Sequence, residues 1–338
     1  MNIYFSPPRQ SYPTFHISLS MLKLEYSNTI SKKEFFIGSI KVYVYNADIL
    51  PAYVELFKQE HKCLNIPVNV LYLVHHRQGD YSYTEAVAER VVAEYSKDAK
   101  VPMIAVTFDI ANHGERKVSE LANEDWRSGN ETHALDMISC IDLTIHDLKL
   151  IMDFLPGYLD LDAHVNASLK EENVGLKFHN ILAGYSIGGH VVIRFASRYP
   201  ELVSAINPNV GCSDLTSLLY NRLKRSKNFD KKFFYSTYGE LELDATERKR
   251  YPEALHKYLS QEDMQIFERF PVNQVLMYAT FYDDDPLVPP RISKLWVDTC
   301  LNSNTDSAVY YEKGRIHDIT LEMVDGFISW LRAKADLI

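Results

Sequence analysis

The chain has 338 residues and a formal net charge of −9, a length that accommodates one large α/β domain. Hydrophobic residues make up 46% and charged residues 24%, which excludes global disorder and fits a folded chain with a substantial core. The acidic balance argues against a nucleic-acid partner, because phosphate contacts need clustered Lys and Arg; the local basic run Arg222 to Lys227 reads as a solvated helix face.

In chain order, the start Met1 to Pro8 lacks a basic segment followed by a long apolar stretch. No later segment offers the roughly 18 uninterrupted apolar residues of a membrane span, so no integral membrane segment is expected, and the expected location is cytoplasmic. Glu34 to Tyr45 alternates through Phe36, Ile40, Val42 and Val44 and is expected as an antiparallel lead-in. Short apolar runs then recur at Val68–Val74, Val101–Phe108, Asn180–Gly184, Val203–Asn207, Val275–Phe281 and Ala308–Tyr311, as buried parallel strands would. Between and after them, Tyr83–Tyr95, Ile141–Leu155, Ile187–Tyr199 and Thr320–Ala333 carry a helical period. The alternation predicts a single α/β domain over 1–338, a mostly parallel central sheet flanked by helices. Residues 214–269 interrupt it with a charged, Tyr-rich, helical pattern, expected as an insertion forming a cap or lid over the carboxyl edge of the sheet. Cys63, Cys140, Cys212 and Cys300 are widely separated, with no paired spacing for zinc or redox chemistry, and read as reduced thiols.

The chemistry concentrates at Gly184-Tyr185-Ser186-Ile187-Gly188. A buried strand precedes Ser186 and a helix follows it, so the serine falls on a strand-to-helix turn, and small residues two before and two after it avoid collision. Such a turn exposes the hydroxyl while the helix N-terminus leaves the Ile187 N–H free for a developing oxyanion. A dinucleotide-binding reading of these glycines fails, because that fingerprint opens with Gly-x-Gly.

An activated serine needs a base and a group to orient it. After the run ending at Phe281 come Asp283, Asp284 and Asp285, followed by Pro286-Leu287-Val288-Pro289. Asp285 fits the register of a strand-end acid best, with Asp284 the alternative. Of the twelve histidines, His317 is the one that follows both Ser186 and Asp285, on a loop after the last strand. The second oxyanion donor is expected from the Arg77 backbone N–H, in the loop His75-His76-Arg77-Gln78-Gly79. His76 and Tyr185 are expected at the substrate. Adjacent His75 and His76 would point opposite ways on a strand and have no spaced partner, so no metal site and no cofactor are expected. Asp109 to Gly114 reads as a structural turn bracing the oxyanion loop.

These residues resemble the α/β-hydrolase superfamily of serine hydrolases. His75-His76-Arg77 corresponds to its oxyanion motif, Asp109 through Gly114 to its Asp-x-x-x-His-Gly turn, Gly184 through Gly188 to its nucleophile elbow, Asp285 through Pro289 to its acid turn and Ile316-His317 to its base. His76 and Ile316 stand where glycine is usual. Asn112-His113-Gly114-Glu115-Arg116, with Trp126, Gly129-Asn130, His133-Ala134 and Asp136-Met137, resembles a poorly characterised fungal branch. The resemblance implies the α/β-hydrolase fold and hydrolysis of a carboxylic ester of a small or medium substrate. Peptide or thioester cleavage by the same groups, or binding without turnover, are the alternatives.

Overall fold

The computed structural model describes residues 30–57, 65–314 and 316–335; the expectations resting on Met1–Pro8 and on Cys63 fall outside them. Strands β1 (Lys32–Ile37) and β2 (Ile40–Tyr45) form the expected antiparallel lead-in. Their two-residue connection, Gly38 and Ser39, has φ of 56° and 67°, the left-handed backbone that matches a tight hairpin to strand twist.

The chain continues through α1 (Leu50–Leu56), β3 (Asn65–Val74), α2 (Tyr81–Tyr95), β4 (Met103–Phe108), α3 (His133–Leu159), α4 (Ala167–Glu171), β5 (Gly175–Tyr185) and α5 (Ile187–Arg198). It then runs through β6 (Ala205–Asn209), α6 (Leu215–Lys224), α7 (Ala245–Arg250), α8 (Glu253–Arg269), β7 (Leu276–Tyr282), α9 (Lys294–Ser303), β8 (Ala308–Glu312) and α10 (Leu321–Ala333). The described strands make one sheet in the order β1-β2-β4-β3-β5-β6-β7-β8. The pairs β1–β2 and β2–β4 are antiparallel and the rest parallel. Because β4 and β5 pair on opposite sides of β3, the winding reverses there, and the loops after β3 and β5 open onto the crevice where parallel sheets take ligands.

Alternation along the strands sorts the core into two layers. Leu71, Leu73, Ile181 and Ala183 face α2 and α10, packing with Val87, Val91, Met323 and Phe327. Val70, Tyr72 and Leu182 face the other way, against Ile141 and Ile145 of α3 and Val191 and Phe195 of α5.

Several ends differ from their sequence signals. β5 starts at Gly175 rather than Asn180, because Lys177 and His179 break the apolar run while the backbone pairing with β3 continues regardless. β6 lies two residues later than expected: Val203 closes a 3₁₀ turn, and Pro208 is accommodated opposite Gly184 in the strand. α3 extends over 27 residues and holds Pro156 in its last turns.

Residues 214–269 carry α6, α7 and α8, and a buried ion pair ties α8 to α5. Arg194 of α5, 1% exposed, donates through Nη2 to Asp263 of α8, whose other oxygen accepts from the Thr216 N–H at 2.6 Å and its hydroxyl at 2.7 Å. Among the described residues no helix is long and apolar enough to cross a membrane.

Removing one partner of such a pair leaves an uncompensated buried charge. Arg194→Met is expected to lower stability by about 3–5 kcal/mol, read from urea denaturation. A loss within a few tenths of a kcal/mol would mean that α8 is not anchored through this contact.

Candidate active site

β5 ends at Tyr185 and α5 begins at Ile187, so Ser186 alone turns the chain. Its φ of 55° and ψ of −109° lie outside the regions comfortable for a residue with a Cβ, a strain of about 1–3 kcal/mol that the surroundings must hold. They hold it from two directions: the Ser186 N–H donates to the Asn209 carbonyl at 2.9 Å, and the His190 N–H donates to the Ser186 carbonyl at 3.1 Å. Both flanking glycines are sterically required. A Cβ on Gly184 would lie 2.1 Å from the Gly188 carbonyl oxygen, and one on Gly188 2.2 Å from that of Val74. The helix therefore starts in contact with the ends of both β3 and β5. The Ile187 N–H belongs to the first turn of α5, which an α-helix leaves without an internal acceptor.

His317 and Asp285 reach this turn from two other loops. His317 Nε2 lies 2.7 Å from Ser186 Oγ, and His317 Nδ1 lies 2.6 Å from Asp285 Oδ2. Asp285 is 3% exposed, and its second oxygen accepts from the N–H groups of Leu287 and Val288 at 2.8 and 2.9 Å. Those two donors use Oδ1 and leave Oδ2 for the imidazole. With the carboxylate accepting at Nδ1–H, Nε2 is free to accept the serine proton. Asp284, the alternative acid, is exposed, and exposed Asp283 instead accepts from the Gly314 N–H at 2.9 Å. Ile316 is 40% exposed, so its bulk beside His317 lies largely outside the site.

The loop after β3 turns between His76 and Gly79, the Gly79 N–H donating to the His76 carbonyl at 3.2 Å, with Gln78 at φ 66°. The ring of His76 lies over Gly79, where a Cβ would come within 2.8 Å of it, and meets Tyr83 edge-on at 4.5 Å. Burial lowers the pKa of His76, and His317 is among the charges acting on it. His75 is a strut: Nδ1–H donates to the His76 carbonyl at 2.8 Å, and Nε2 accepts from the Ile110 N–H at 3.1 Å. Burial pushes its pKa well down, in keeping with a neutral ring. The Asp109 carboxylate completes the brace, accepting from the N–H groups of Tyr81 and Glu115, both at 2.8 Å. Gly114, at φ 51°, lets that turn close over Asp109.

Tyr185 departs from its expected place at the substrate. It continues the face of Ile181 and Ala183, is 2% exposed and packs against Tyr83 at 5.5 Å, so its ring fills the core between β5 and α2. Arg222 departs too. Rather than lying on a solvated face, it is half-buried one turn after Leu218 on the inner side of α6, and its Nη2 donates to the Leu287 carbonyl at 2.9 Å. The helical spacing from Leu218 was the available signal, masked by the basic residues around it. Asn209, whose carbonyl holds the Ser186 N–H, had no signal, since a backbone acceptor can belong to any residue type.

This architecture is the α/β-hydrolase fold. Among solved structures, the chain is similar to TT1662 from Thermus thermophilus, with a TM-score of 0.53 and 12% identity over 90% of this chain and 98% of that one. It is also similar to Est1E from Butyrivibrio proteoclasticus, a structure with ferulic acid bound, at a TM-score of 0.50 and 13% identity over 90% and 99% of the two chains. No family model matches the sequence, and no curated protein matches it significantly.

Gly188→Ala tests the contact that seats α5. It is expected to cost about 1–3 kcal/mol in urea denaturation, because the new methyl meets backbone rather than a movable side chain. An unchanged midpoint would show that α5 can retreat from β3 freely.

Proposed function

We propose that the chain is a serine hydrolase that cleaves a carboxylic ester of a small or medium substrate through an acyl-enzyme. The observation that carries this reading is the continuous hydrogen-bonded line from Ser186 Oγ through His317 to Asp285, seated on a strained strand-to-helix turn.

In this mechanism His317 Nε2 takes the Ser186 proton as Oγ attacks the ester carbonyl. Asp285 holds the ring with Nδ1 protonated and stabilises the imidazolium that forms. The N–H groups of Ile187 and Arg77 receive the negative charge that develops on the carbonyl oxygen; such a donor is worth about 3–4 kcal/mol in other hydrolases. As the tetrahedral intermediate collapses, His317 returns the proton to the leaving alkoxide, and Ser186 stays acylated. Water, deprotonated by His317, then attacks the acyl group, and the second collapse returns the proton to Ser186. No step calls for a cofactor. Helix α6 forms one wall of the site, since Arg222 reaches the turn that carries Asp285, and residues 214–269 act as the cap. His76, on the loop after β3, contacts the substrate.

A fluorophosphonate probe is expected to label the wild-type chain and leave Ser186→Ala unlabelled; equal labelling of both rules out Ser186 as nucleophile. A panel of matched oxygen esters, thioesters and amides then distinguishes ester cleavage from thioester or peptide cleavage.

The choice of acid is tested separately. Asp285→Asn is expected to lower kcat on an aryl ester by about 10⁴-fold, whereas Asp284→Asn stays within about threefold of wild type. The reverse order assigns the acid to Asp284.

A further inference from the structure

Two arginines, Arg77 in the loop after β3 and Arg222 on α6, form no ion pair among the described residues. Arg77 Nη1 is buried with no hydrogen-bond partner. Asp125 and Glu124 act on it only from a distance. Arg222 is likewise without an ion pair among the described residues, and its contacts are with neutral groups: Nη2 donates to the Leu287 carbonyl at 2.9 Å, and Nη1 lies 3.8 Å from the Met137 sulfur. Burial first, and then the charge of Arg77, pushes the Arg222 pKa down to about 10, against the opposing pull of Cys212, Asp285 and Asp125. Both arginines border the start of α3: Gln78, next to Arg77, donates to the Glu124 carboxylate at 3.0 Å, the Glu124 carbonyl accepts from His133, and Met137, one turn further on, meets Arg222. Among the described residues, other buried or half-buried arginines have a carboxylate: Arg116 with Asp147, Arg194 with Asp263, Arg198 with Asp142 and Glu262.

The neighbouring polar groups are also incomplete. His113 and His133, each 2% exposed, donate through Nδ1 to the carbonyls of Ala111 and Glu124 at 2.8 and 2.9 Å. Nε2 of each has no partner, nor does Nε1 of Trp126, whose ring meets His133 edge-on at 4.9 Å. Burial with the nearby Arg77 charge pushes His113 down to about 4 and His133 to about 3, so both rings are neutral at pH 7. Unpaired buried donors and acceptors are costly, and unpaired half-buried cations more so. An incoming anion would supply the missing partner for the guanidinium groups.

Resting on the reading of Ser186 as nucleophile, we propose that the substrate is an ester that also carries a carboxylate, held by the side chains of Arg77 and Arg222. Arg77 then serves twice, its backbone N–H toward the carbonyl oxygen and its guanidinium toward the carboxylate. The two ends of one residue limit the spacing between the scissile carbonyl and the anion to about the length of an arginine side chain. Guanidinium rather than ammonium suits the task, because its planar fork matches a carboxylate.

Calorimetric binding to the Ser186→Ala protein tests this, with two matched pairs: monomethyl against dimethyl glutarate, which places the charge on the acyl side, and 4-acetoxybenzoate against its methyl ester, which places it on the leaving side. The carboxylate member of at least one pair is expected to bind about tenfold more tightly or better. That gap should shrink below about threefold when Arg222→Met is added and persist in part with Arg222→Lys. Equal or weaker binding of the carboxylate member in both pairs overturns the inference, whatever the variants do. Hydrolysis of the same compounds by wild type is followed in parallel. Turnover without a binding preference overturns the anion site and leaves the esterase reading standing. A binding preference without turnover supports the anion site and counts against Ser186 as nucleophile.

Discussion

The close seating of helix α5 on the ends of β3 and β5 is the constraint on which the site depends. Gly188 lies so near the Val74 carbonyl that a single Cβ would collide at 2.2 Å. That proximity brings the first turn of α5, the Ser186 hydroxyl and the loop after β3 into one crevice. It is set by the longest parallel pairing of the sheet, running in register from Asn65 opposite Gly175 to Val74 opposite Gly184. A strand pair that long supplies the rigidity needed to keep Ser186 at φ 55°, a backbone that would relax if either neighbour could move.

Around this seat, polar groups are divided between those fully used by the fold and those left open. His75 uses both ring nitrogens to tie the β3 loop to Ile110, and Asp109 uses both oxygens to tie Tyr81 to Glu115. Asp285 uses one oxygen for its own turn and the other for His317. Arg77, His113, His133 and Trp126, in contrast, each keep a buried polar atom without a partner. The first set fixes geometry, and the second set is where a ligand's own polar groups can gain most, because no protein contact has to be broken.

The strand runs and helical periods were legible because buried parallel strands are continuously apolar and the main helices have one apolar stripe. Strand ends were less so: Lys177 and His179 stay in β5 because backbone hydrogen bonds, not side chains, carry the pairing with β3. Tyr185 and Arg222 depart from their sequence signals for opposite reasons. Nearness of Tyr185 to Ser186 in sequence suggested nearness to a ligand, whereas strand alternation turns its ring into the core. The cluster of charge around Arg222 suggested solvent, whereas helical spacing from Leu218 turns it inward.

By itself the sequence determined the fold class and brought forward Ser186, His317 and the aspartate run 283–285, because an elbow needs small residues at set spacing and because strand-end loops can be counted along the chain. Only the tertiary structure decided that Asp285 rather than Asp284 meets His317, that His75 is a strut, and that Arg77 and Arg222 form no ion pair among the described residues. Those are relations between residues far apart in sequence, fixed by strand order and helix packing. No local pattern encodes them.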